Sequence, residues 1–212
     1  GLTVTGNYPG RPGNPEEYRM DLEKSMSYIP GRIKVNLHSI YGENYEAGID
    51  RDEYASRHFS NWIAWAKEKG VGLDMNATTF SHPYAESGLT ISNPDENIRQ
   101  FWIRHMQSVR EISEDIGREL GQVCVFNTWV QDGMKDMPAN RMKYRELMKQ
   151  SFDEIFGKKQ ISTDYVYDAL EPKLFAVGVE SYTVGSNDFY LSYHGHARAK
   201  GIGNTILNLD MG

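Results

Sequence analysis

Glu180 closes the short apolar run KLFAVGVE (173–180), and Asp210 closes the run NTILNLD (204–210). Both runs read as strands, and the turn signal Gly185-Ser186-Asn187 follows the first. A carboxylate at the end of a buried strand loses hydration, which costs on the order of several kcal/mol unless a cation or hydrogen bonds replace the water. Neighbouring parallel strands lie roughly 5 Å apart, so two such groups could share one divalent ion. All-oxygen ligands suit Mg2+ or Mn2+, and an added imidazole favours Mn2+, Co2+ or Zn2+. Capping a helix N-terminus or pairing with a lysine would account for the same acids, and spacing alone leaves both explanations open.

Other polar residues end apolar runs in the same way: His38 after VNL, Asp74 and Asn76 in LDMN, and Asn127 and Trp129 in FNTW. His194 and His196 look like a metal pair, but at i, i+2 on a helix they point apart. Cys124 lies in the apolar run VCVF, where a buried, inert thiol is expected.

Apolar runs alternate with amphipathic segments along the whole chain. Helices are expected over 14–29, 52–69, 92–120, 140–156 and about 187–200. The second has Gly70 as a left-handed stop. The third starts with Ser92 as N-cap and Pro94 in its first turn. Strands are expected over 33–39, 71–76, 122–129, 173–180 and 204–210. Short strands between long helices argue for a parallel sheet covered by helices. No Gly-rich phosphate fingerprint follows any strand, which weakens a nucleotide-binding doubly wound sheet and favours a barrel whose strand ends share one mouth. The expected fold is therefore α/β, a partial (β/α)8 TIM barrel of about five parallel strands with intervening helices. The chain, 1–212, reads as one excerpt of a catalytic domain whose first and last parts lie elsewhere.

Composition narrows the partners. The 212 residues are 39% hydrophobic and 25% charged, with net charge −6. No basic block draws the chain to nucleic acid or anionic lipid, and no apolar run is long enough to span a membrane. A single cysteine and no signal-peptide layout suggest the cytoplasm. Small molecules and other protein chains remain.

The blocks TGNYPG, NLHSIYGE, NWIAWAKEKGVGLDMNATTFSHP, IRQFWIRH, NTWVQDGMKD, KLFAVGVESYTVGSNDFY and LNLDMG together closely resemble the L-rhamnose isomerase family. These are aldose-ketose isomerases of the xylose-isomerase-like barrel class. The resemblance implies a site for two divalent metals, a catalytic Mn2+ and a structural Zn2+ or Mn2+, with Glu180 and Asp210 as ligands of the structural ion. The other ligands, and every catalytic-metal ligand, would lie beyond residue 212. Relatives with xylose activity carry a lysine two places after the glutamate, a place taken here by Tyr182. The resemblance puts substrate contacts on His82 and Trp129, since an indole ring packs on a sugar's apolar face and an imidazole can hydrogen-bond a hydroxyl. Asn127, Asp74 and Asn76 would support them. The implied reaction interconverts L-rhamnose and L-rhamnulose, hydrogen moving between C1 and C2 as a hydride or through an enediol. A homotetramer is implied, and the segment alone is expected to be inactive. The competing reading is a noncatalytic, self-associating or weakly sugar-binding barrel remnant.

Overall fold

The structure is a computed structural model that describes residues 8–158, 164–173 and 181–209. In chain order its main elements are α1 (Pro15–Met26), β1 (Lys34–His38), α2 (Ser60–Lys69), β2 (Gly72–Asn76), α3 (Glu96–Leu120), β3 (Cys124–Asn127), β4 (Gly133–Met134), α4 (Arg141–Gly157), β5 (Val166–Leu170), β6 (Tyr182–Thr183), α5 (Asn187–Lys200) and β7 (Thr205–Leu207). Five strands form one parallel sheet in the order β1-β2-β3-β5-β7, and β4 pairs antiparallel with β6.

The sheet has two unlike faces. Val35, Leu37, Leu73, Met75, Cys124, Phe126, Val166 and Leu170 alternate toward one side and join the helices in a single apolar core. The other side carries Lys34, Asn36, Asp74, Asn76 and Asn127, which bond to one another across the strands. A doubly wound sheet buries both faces under helices, whereas a barrel turns one face inward on itself. Sequential strand order with a polar inner face is the geometry of part of a (β/α)8 barrel. The burial of Cys124 pushes its thiol upward and leaves it inert, as expected.

One strand was not expected. The partner of both β3 and β7 is Val166–Leu170, whereas 174–180 lies outside the described residues. Asp168 hides this strand in the sequence by interrupting its apolar run. Its carboxylate is fully buried and receives Arg110 Nε at 2.7 Å and Nη2 at 3.0 Å from α3. The backbone N–H of Asn204 donates to the same carboxylate at 2.7 Å, so one group fixes both β5 and the entry to β7. Gly203, at φ +65°, leaves the room this requires: a Cβ there would stand 2.9 Å from Asp168 Oδ2 and 3.0 Å from Phe156 Cβ.

Two helix starts also differ from expectation. Residues 52–59 break into short 3-10 turns around extended Tyr54 and Ala55, so α2 begins only at Ser60. The N-cap of α3 is Asp95, which accepts from Asn97 N at 2.9 Å. Ser92 is instead buried against Asp132. Gly70 closes α2 in the left-handed conformation as expected. Among the described residues no helix is long and apolar enough to cross a membrane.

Asp168→Asn or Arg110→Met would strand one member of a desolvated pair and lower stability by about 3–5 kcal/mol, read from urea unfolding. His105, fully buried, has its Nδ1 2.9 Å from Arg51 O, and burial pulls its imidazole down from 6.5 to about 4. The unfolded chain therefore takes up this proton first. The contribution of His105 is complete above pH 6.5 and is lost as pH falls from 6.5 toward 4. Urea midpoints measured across that window should drop less steeply in His105→Gln.

Candidate functional site

The carboxyl ends of the strands gather on one edge of the inner face. His38 ends β1 with Nδ1 3.0 Å from Thr78 Oγ1, and burial pushes its imidazole below the ordinary value. Phe80 lies edge-on to both His38, at 5.8 Å between centroids, and Trp129, at 6.2 Å. Trp129 is half-buried, so part of its indole remains open beside the strand ends. The three rings form an aromatic wall, and an indole in such a wall suits the apolar face of a sugar.

The loop after β2 that carries Phe80 and His82 is held by the turn that follows residue 50. Arg51 donates to the carbonyls of Thr78 at 3.2 Å, Phe80 at 2.6 Å and Ser81 at 2.7 Å. Burial depresses this guanidinium. Ser81 takes the left-handed conformation, φ 56°, which turns the chain toward His82. His82 Nε2 lies 3.2 Å from both Asp50 oxygens, and Nδ1 accepts from Tyr84 N at 3.1 Å. Its ring also stacks on Phe101 at 4.8 Å. Both nitrogens are thus engaged in holding the loop. Asp132 ties this loop to the one after β3, accepting from the N–H groups and hydroxyls of Thr90 and Ser92 at 2.5–2.9 Å. Burial pushes its carboxyl upward against those four bonds.

Across the inner face runs a chain of side-chain hydrogen bonds with one link from each strand or its end. Asn76 Nδ2 donates to Asn36 Oδ1 at 2.9 Å, and Asn127 Nδ2 donates to Asn76 Oδ1 at 2.9 Å. Asn127 Nδ2 also reaches Glu171 Oε2, which accepts Asn208 Nδ2 at 2.8 Å from the far side. Asp74 sits deeper, paired with Lys34 and accepting Val125 N at 2.7 Å. Those bonds tie β1, β2 and β3 together below the strand ends.

Glu180 and Asp210 lie outside the described residues. The strand-end carboxylate that the structure does place beside β7 is Glu171, directly after β5. Lys173, 3% exposed, stands two residues further on and donates from Nζ to Gln131 O at 2.8 Å. A rule of acids at strand ends would have found Glu171 had VYDAL been recognised as a strand. Tyr182 is remote from the chain of amides: it pairs with Met134 in the small sheet, and its hydroxyl donates to Arg141 O at 3.0 Å. His194 faces Thr205 and His196 faces Asp153, so the two point apart as expected.

Among the described residues no group of three or more His, Cys, Asp or Glu side chains could hold a metal. Glu171 fits as one ligand of such a site. Its Oε2 is held by two amides, while its Oε1 has no protein partner among the described residues and is the hard oxygen donor a divalent cation selects.

The reading of His82 as a loop anchor is testable. His82→Ala removes the acceptor of the Tyr84 amide, which should then exchange with deuterium about 10-fold faster or more while amides of β2 keep their protection.

Comparison with known proteins matches the family model described as "L-rhamnose isomerase (RhaA)" to residues 1–210. An L-rhamnose isomerase of Bacteroides thetaiotaomicron is 49% identical over 215 residues, covering 100% of this chain and 48% of that protein. One of Pectobacterium atrosepticum is 47% identical over 212 residues, covering 100% and 49%. One of Listeria monocytogenes serotype 4a is 47% identical over 193 residues, covering 91% and 46%. A solved structure titled "Crystal Structure of SacUVDE" aligns over 91% of this chain and 56% of its own at 11% identity, but its TM-score of 0.46 is too low to speak for the fold. The chain spans about half the length of the curated relatives it matches. Identity at this level across the strand ends, the loops and the helices between them has one explanation, and the chain belongs to the L-rhamnose isomerase (RhaA) family.

Proposed function

We propose that the full protein carrying this segment interconverts an aldose and a ketose, L-rhamnose and L-rhamnulose, with the help of divalent metal. The observation that carries this reading is Glu171-Pro172-Lys173. Here a carboxylate ends the strand hydrogen-bonded to the one that leads toward Asp210. The lysine that relatives with xylose activity carry two places after the glutamate, and that Tyr182 does not supply after Glu180, stands here at Lys173. Glu171 and Asp210 are therefore the paired strand-end carboxylates of our reading, with Glu180 as the alternative first ligand.

A bound divalent ion such as Mn2+ would supply Lewis-acid polarisation of the open-chain sugar's oxygens, and a second ion such as Zn2+ or Mn2+ would be structural. The chain's own residues bind and orient. Trp129 and Phe80 offer an aromatic surface to the sugar's apolar face, and the packing of Phe80 between His38 and Trp129 fixes the angle of that surface. His38 Nε2 has no protein partner among the described residues and, with its imidazole held neutral by burial, can exchange a hydrogen bond with a hydroxyl. His82 works through the loop it anchors. A cytoplasmic homotetramer is the assembly this reading carries with it.

In the full-length protein, Glu171→Gln and Asp210→Asn should each weaken Mn2+ binding by more than the roughly 10–100-fold expected of a supporting residue, and should abolish L-rhamnose turnover. Glu180→Gln, titrated alongside, decides between the two glutamates. Trp129→Ala should raise KM for L-rhamnose about 3–10-fold with kcat little changed. Turnover unaffected by chelators would sink the metal-dependent reading.

A further inference from the structure

We propose that the chain Asn36–Asn76–Asn127–Glu171–Asn208 is a positioning device for Glu171, with Asn127 as its central member, and that it turns one carboxylate oxygen toward a divalent cation. The proposal rests on the functional reading above, in which Glu171 is a metal ligand.

The direction of every amide is fixed by its neighbours. Glu171 accepts, so Asn127 must turn Nδ2 toward it. Asn76 donates from Nδ2 to Asn36, so its Oδ1 is what faces Asn127, and it takes the second Nδ2 proton. The consequence is that Asn127 Oδ1 is buried without a hydrogen-bond partner, on a residue only 5% exposed. A buried acceptor left unpaired opposes folding, and an apolar residue of similar shape would avoid the penalty. Stability alone therefore does not select this asparagine.

The gain is control of the carboxylate. Asn127 and Asn208 grip Oε2 from opposite sides, which restrains rotation of the group and leaves Oε1 as the oxygen for a ligand bond. Asn127 is backed by Asn76 and Asn76 by Asn36, so the grip from that side is anchored on β1. Outer hydrogen bonds of this kind orient metal-ligating carboxylates.

The test is calorimetric titration of Mn2+ into the full-length protein and its variants, with urea unfolding of each. Asn127→Leu should bind Mn2+ about 10–100-fold more weakly, while its urea midpoint holds level or rises because the unpaired acceptor is gone. Asn208→Ala, at an exposed position, should weaken binding about 10-fold without moving the midpoint. Undiminished affinity in both variants overturns the proposal. So does weakened binding matched in both by a lower urea midpoint, the outcome of a purely structural role. Glu171→Gln separates this inference from the reading beneath it. If that variant keeps the metal, Glu171 is not a ligand, and the assignment beneath this inference fails. If it loses the metal while Asn127→Leu and Asn208→Ala keep it, only the positioning role fails.

Discussion

The buried contact between Arg110 and Asp168 is the constraint on which the site depends. It joins the longest helix to the strand that carries Glu171, and through Asn204 N it sets where the last described strand begins. Two desolvated charges are tolerable only when each finds its full complement of partners, and here the bidentate guanidinium, a backbone N–H and the carbonyl of Phe156 supply them. Because side chains alternate along a strand, an Asp168 turned toward the helices obliges Ala169 and Glu171 to face the interior.

The division of the sheet into an apolar face and an amide-lined face follows from the same alternation. Helices α2, α3 and α5 pack on the first, with α4 against α3 and α5, and hold the strands in order. The second is held by hydrogen bonds that run sideways from strand to strand, which makes it rigid without making it apolar. Around its open edge the loops are locked to one another by Arg51, Asp50 with His82, and Asp132 with Thr90 and Ser92. A site built on loops gains precision when their backbone carbonyls and N–H groups are tied down in this way.

Much of this was legible in the residues. The strands at 34–38, 72–76 and 124–127 fall within the expected runs, and five helices form where apolar periodicity put them, although α2 and α3 start later than expected; the glycine stop at Gly70 holds. The family resemblance, read from unbroken blocks such as NLHSIYGE and NTWVQDGMKD, led to the right family. The misses have a common cause. Val166–Leu170 escaped because a buried aspartate looks polar until its arginine, 58 residues away, is known. Ser92 looked like a helix cap because nothing local reveals that Asp132 will claim it. For His82, its neighbours in sequence do not reveal that its ring nitrogens face Asp50 and Tyr84 N.

The sequence by itself determined the class of fold, the position of most elements and the chemical types available at the strand ends, because periodicity, capping and turn chemistry act between near neighbours in the chain. Only the tertiary structure decided which carboxylate stands beside β7, which asparagines grip it and which histidine keeps a nitrogen free. Those choices depend on pairs far apart in sequence. Their partners become neighbours only when the strands register and the buried charges find one another.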